Sequence, residues 1–139
     1  MNIDEAPAVT RPVGNDRIRV LCVDDHVVIS MAMRATIDAS SDMRCVGCIE
    51  RADMLVETVA ELQPDAVLLD LHMPGREPMA AMRDLIHEHP GVAIIVFSGS
   101  DDNETRRTAL MAGAWCYLLK GGSGQKILDA IRAAVAQKR

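Results

Sequence analysis

Five short apolar runs, each followed by a stretch with helical spacing, constrain this chain more than any other feature. The runs are Ile18 to Asp24, 42–50, 65–70, 92–98 and 114–120. Each is too short for a typical helix and rich in Val, Ile or Leu, so each reads as a strand. The intervening segments read as helices at 26–39, 51–63, 78–89, 102–112 and 123–137. Val28, Met31, Ala35 and Ala39 supply a helical stripe to the first. The second stops before Pro64, and Pro78 suits the first turn of the third. Gly113 closes the fourth, and Ser123 offers an N-cap to the fifth.

Strict alternation of strand and helix implies βαβ units, hence an α/β fold with a parallel sheet covered by helices on both faces. Right-handed crossovers leave few ways to wind it. With 139 residues one domain is expected. It spans 17–139, after a flexible N-terminal tail at 1–16 that lacks the apolar core of a signal peptide. No apolar run approaches the roughly 18 residues that a membrane span needs. A cytoplasmic location with no membrane contact is therefore expected. Aromatic residues are only 2%, so aliphatic side chains must fill the core, and a net charge of −5 argues against a nucleic-acid-binding surface.

Of the four cysteines, Cys45 and Cys48 form a C-x-x-C. In a regular strand, residues i and i+3 point to opposite faces, and no second such pair completes a zinc site. The sequence therefore predicts separate buried thiols in a reducing compartment. His87 and His89 stand two apart on a helix and do not form a metal pair.

In an open α/β sheet, ligands bind beyond the carboxyl ends of the strands. The first strand ends on Asp24-Asp25, the third on Asp70, the fourth on Ser98 before Gly99, and the fifth on Lys120. Three carboxylates, a hydroxyl and an ammonium thus meet at one edge. Clustered carboxylates call for a cation, and an oxygen-only donor set suits a hard ion such as Mg²⁺. Lys and Ser beside that ion can meet phosphate oxygens. The central carboxylate, Asp70, can then act as the nucleophile of a phosphoryl transfer. Each residue also has a plainer use: Asp24 or Asp25 as the N-cap of the first helix or part of the turn before it, a Ser bonding within a loop, and a Lys that is solvated. The combination carries the chemical reading.

The segments "VLCVDDH", "AVLLDLHMPG", "IIVFSGS" and "WCYLLK" together resemble the receiver domain of two-component response regulators over residues 17–136. The resemblance implies a flavodoxin-like doubly wound sheet of five strands in the order 2-1-3-4-5 with five helices. It implies that Asp70 is the phosphoacceptor. Asp24 and Asp25 would hold Mg²⁺ with Asp70 and the backbone carbonyl of His72. Lys120 would contact the phosphoryl group, Ser98 would move towards it, and Tyr117 would be the aromatic switch. A histidine kinase or a phosphotransfer protein would be the donor, with a homodimer as a further family possibility. The protein would be a switch that assists its own phosphorylation and dephosphorylation, not a conventional enzyme.

"VDDH" with "YLLK" resembles receivers that precede a helix-turn-helix output domain. These 139 residues encode no such domain, and a stand-alone receiver is the expectation. Gly121 stands where many receivers have Pro, and Glu77-Pro78 replaces a usual Asp-Gly. The resemblance implies that His72 and Ser100 flank the path of an attacking water. A phosphatase with an aspartyl nucleophile would want an acid at position 72 as general acid, and His72 stands there. A degenerate receiver would have lost an acid or Lys120, and all are present.

Overall fold

The computed structural model describes residues 17–73 and 77–138. The predicted tail and the Pro74-Gly75 turn lie outside these. The strands are β1 (Ile18–Val23), β2 (Met43–Ile49), β3 (Ala66–Leu69), β4 (Ala93–Ser98) and β5 (Cys116–Leu119). The helices are α1 (Val27–Ala39), α2 (Leu55–Leu62), α3 (Pro78–Glu88), α4 (Asn103–Ala112) and α5 (Gly124–Lys138). A 3₁₀ turn, Ala52–Met54, leads into α2. The strands are parallel in the order β2-β1-β3-β4-β5.

Alternation along each strand divides the core in two. Val20, Cys22, Leu68, Ile95 and Phe97 face one side, under Ile37 of α1 and Ile127, Leu128, Ile131 and Val135 of α5. Leu21, Val23, Val67, Leu69, Ile94 and Val96 face the other, under Leu55 and Val59 of α2, Met82 and Leu85 of α3, and Ala109 of α4. All residues of β3 and β4 are buried. That explains why these segments read as unbroken apolar runs.

Local signals set the boundaries. Pro78 opens α3, and the Glu77 carboxylate accepts hydrogen bonds from the amides of Met79 and Ala80. The Glu77-Pro78 pair is therefore a helix cap. Ser123 Oγ accepts from the Lys126 amide at 3.3 Å, as expected of an N-cap. Gly113 ends α4 at φ 122°, and a side chain there would also strike Ile86.

The covered face of α1 differs from the predicted stripe. Val28 and Met31 are exposed, at 78% and 67%, and Ala35 and Ala39 are exposed beside them. Instead Ile29, Met33 and Ile37 turn inward. Both stripes have helical spacing, and only the position of the sheet decides which is covered.

β2 departs from regular pairing. Val20 pairs with Cys45 but Leu21 pairs with Gly47, so Val46 is an extra residue on the edge strand. The predicted opposition of Cys45 and Cys48 is overturned here. One added residue reverses the alternation and puts both on the face that carries Cys22.

Candidate functional site

The strand ends bring the predicted carboxylates together. Asp24 follows β1, Asp70 follows β3, and both are buried, at 5% and 1% exposure. The Asp70 amide donates to the carbonyl of Val23 at 2.9 Å, which ties the two strand ends. Asp70 Oδ1 accepts from the His72 amide at 3.0 Å, and Oδ2 accepts from Lys120 Nζ at 3.2 Å. The Asp70 carboxylate is thus held at both oxygens by groups from two loops.

Lys120 follows β5, and its amide donates to the Ser98 carbonyl at 2.8 Å. Its Nζ also stands 2.8 Å from Asp24 Oδ2, as a close ion pair off the hydrogen-bond line. Asp24 Oδ1 accepts from the His26 amide at 2.8 Å and meets His26 Nδ1 at 2.7 Å. This is the turn-building use of an Asp before a helix, since the N-cap position itself belongs to His26. Burial pushes the Asp24 carboxyl up, but the paired Lys120 ammonium and the hydrogen bonds from His26 outweigh it and hold the group below the ordinary aspartate range.

His26 is the contributor that the sequence reading missed. Its Nδ1 also lies 3.4 Å from Asp25 Oδ1, 3.6 Å from Asp70 Oδ2 and 3.2 Å from Lys120 Nζ. Its place directly after the acidic pair, at a helix start, was the available signal.

Two oxygens bear on a cation. Asp24 Oδ2 and Asp25 Oδ1 are buried and have no hydrogen-bond donor. A buried carboxylate oxygen without a donor is costly. Asp24, Asp25, His26 and Asp70 can each bring one ligand atom within 4.8 Å of the others. The carboxylates therefore fit a hard divalent ion, which would coordinate the two oxygens that have no hydrogen-bond donor.

Ser98 is fully buried at the end of β4, and its Oγ accepts from the Ser100 amide at 3.1 Å. Tyr117 is 5% exposed. Its hydroxyl donates to the Ser100 carbonyl at 2.7 Å, and the Arg106 guanidinium lies 4.8 Å from its ring centroid. The backbone between Ser98 and Ser100 thus links the hydroxyl residue to the aromatic one. No Cβ placed on Gly99 would meet a neighbour within 4 Å, so this loop has room. His72 is exposed, with its amide engaged by Asp70.

Comparison with known proteins agrees with this geometry. The response regulator receiver domain family matches residues 20–132. The transcriptional regulatory protein LiaR of Bacillus subtilis is 36% identical over 117 residues, which is 84% of this chain and 56% of that protein. The response regulator domain of Thermotoga maritima CheB superposes with a TM-score of 0.80 at 27% identity, covering 86% of this chain and 97% of that one. A LuxR-family two-component response regulator from Aurantimonas sp. SI85-9A1 superposes with a TM-score of 0.81 at 26% identity, covering 88% of each chain. The chain belongs to the response regulator receiver domain family of two-component signalling. It spans about half the length of the curated relatives it matches. The family is regulatory and works in general with a kinase. Among the described residues, no helix is long and apolar enough to cross a membrane.

Proposed function

We propose that this receiver accepts a phosphoryl group on Asp70 and passes the event to its α4–β5–α5 surface. The domain is assigned to 17–139, after the 1–16 tail. The observation that carries the reading is the Asp70 carboxylate, held between the His72 amide and Lys120 Nζ beside two orphaned acidic oxygens. Asp24, Asp25, Asp70 and the His72 carbonyl would hold Mg²⁺. When bound, that ion neutralises charge on the phosphoryl oxygens.

An Asp70 carboxylate oxygen attacks phosphorus, a P–O bond forms, and the bond from phosphorus to the donor breaks. The donor is a phosphohistidine on a histidine kinase or a phosphotransfer protein. Lys120 is an ammonium placed to follow the new charge, because it already pairs with Asp70 and Asp24. His26 keeps Asp24 ionised and oriented.

The added phosphoryl oxygens then compete for donors. Ser98 leaves the Ser100 amide and donates to the phosphoryl group. That displaces the Ser100 backbone to which Tyr117 is bonded, so a local charge event alters the packing of Tyr117 and Arg106. The output is a change in partner preference, with homodimer formation one form of it. Direct nucleic-acid binding and turnover of external substrates are not part of this reading, and its setting is the cytoplasm.

The test is intact-mass spectrometry after incubation with acetyl phosphate. A single phosphoryl adduct that requires Mg²⁺ and is absent in Asp70→Asn is expected. An adduct that persists in Asp70→Asn would overturn the assignment.

A further inference from the structure

The regular alternation of β1 and β2 is broken at Val46, and the break gathers three thiols. Cys22 Sγ lies 4.0 Å from Cys45 Sγ, which lies 3.8 Å from Cys48 Sγ. All three sulfurs fall within 4.8 Å of one another. They sit within β1 and β2 on the α1 side of the sheet, whereas the acids follow the strand ends. Cys22 and Cys45 are buried and Cys48 is exposed, so the cluster has a dry floor and an open mouth.

We propose that Cys22, Cys45 and Cys48 form a binding site for a thiophilic divalent metal ion of the Zn²⁺ class, with its fourth position open to water on the exposed side. The two separations made by Cys45 fit such an ion. A metal with bonds of about 2.3 Å to sulfur separates its thiolates by about 3.8 Å in a tetrahedral site and about 4.0 Å in a planar three-coordinate one. Soft sulfur donors select against the hard ion that suits the carboxylates.

The charges also close. Three thiolates and a divalent ion leave one negative charge, and the charge of Arg34 on α1 acts on both Cys45 and Cys48. The bulge supplies a structural reason. Without Val46 as the extra residue, Cys48 would face the opposite core. Bulges on edge strands commonly re-aim a side chain. Gly47 lets the bulged strand lie close to its neighbours, since a Cβ there would stand 2.9 Å from Leu62 Cδ1.

The site is independent of phosphorylation at Asp70, and so is its test. Reduced protein is titrated with Zn²⁺ in the presence of excess Mg²⁺, which occupies the acid pocket, and read by native mass spectrometry. Cd²⁺ is then used for its sulfur-to-metal charge-transfer absorption. One Zn²⁺ per chain and a thiolate–Cd²⁺ band are expected, with protection of Cys48 from alkylation. Cys48→Ser, at an exposed position, should weaken Zn²⁺ binding at least tenfold, and Cys116→Ser should leave it unchanged. Equal binding by Cys48→Ser, or absence of the thiolate band, would overturn the proposal. So would Zn²⁺ that is lost in Asp25→Asn and kept in Cys48→Ser. A Cys45–Cys48 disulfide formed with peroxide under conditions where no metal binds would replace the metal site with a redox pair.

Discussion

The acid pocket and the thiol cluster both hang on β1, with Asp24 only two residues beyond Cys22, yet they are built in opposite ways. The acid pocket stands where strands stop. Its carboxylates come from different loops, and Lys120 and His26 hold them together against their mutual repulsion. The thiol cluster stands on the face of two paired strands, and one extra residue in the register assembles it. Strand ends concentrate polar groups because the topology leaves them next to solvent at one edge. A strand face can gather donors only if the alternation allows it, and here the alternation has to be broken first.

Replacing Lys120 tests how far the acid pocket depends on its cation. Lys120→Met leaves Asp24 and Asp70 buried without their shared ammonium. The expected cost is about 3 kcal/mol of folding stability, with a larger recovery on adding Mg²⁺ than wild type shows. Denaturant titration with and without Mg²⁺ measures both, and unchanged stability would mean that water already shields these acids.

The bulge is tested by filling its glycine. Gly47→Ala sets a methyl against Leu62 and Leu21, with contacts of 2.9 and 3.4 Å. The Leu62 side chain can yield, so a loss of about 1 kcal/mol is expected. Weaker Zn²⁺ binding should accompany it, with acetyl phosphate labelling of Asp70 as the control. An effect on labelling as large as that on Zn²⁺ would break the separation of the two sites.

The smallest effect is on acid sensitivity. Asp24 is held below its ordinary value of 3.8. Its contribution is therefore fully present above that pH and is lost as pH falls through the lower folded value. Stability of wild type should decline across that window, and the slope should flatten in Lys120→Met, which lacks the leading favourable partner. Urea midpoints measured from neutral pH down to about pH 3 would show it. Equal slopes would assign the shift to His26 instead.

Much of this site was legible because its residues lie at element boundaries, which sequence marks well. An apolar run that stops on Asp70, and another that stops on Lys120, require no packing information. The inward stripe of α1 was not legible. Val28 and Met31 compete with Ile29, Met33 and Ile37 at nearly the same helical spacing, and the exposed set is as apolar as the buried one. His26 adjoins the acidic pair in sequence, but its ring also meets Asp70 and Lys120, which come from loops distant in sequence.

The sequence by itself determined the alternation of five strands and five helices, and with it the edge where three acids, a serine and a lysine meet. It could do so because period, length and turn residues are local properties. Tertiary structure alone decided which face of α1 is covered, that Lys120 and His26 share Asp24, and that Cys22, Cys45 and Cys48 face one another. Each of those depends on the pairing of distant segments. In the last case a shift of one residue in strand register exchanges the two sides of the sheet, and no window along the chain contains that information.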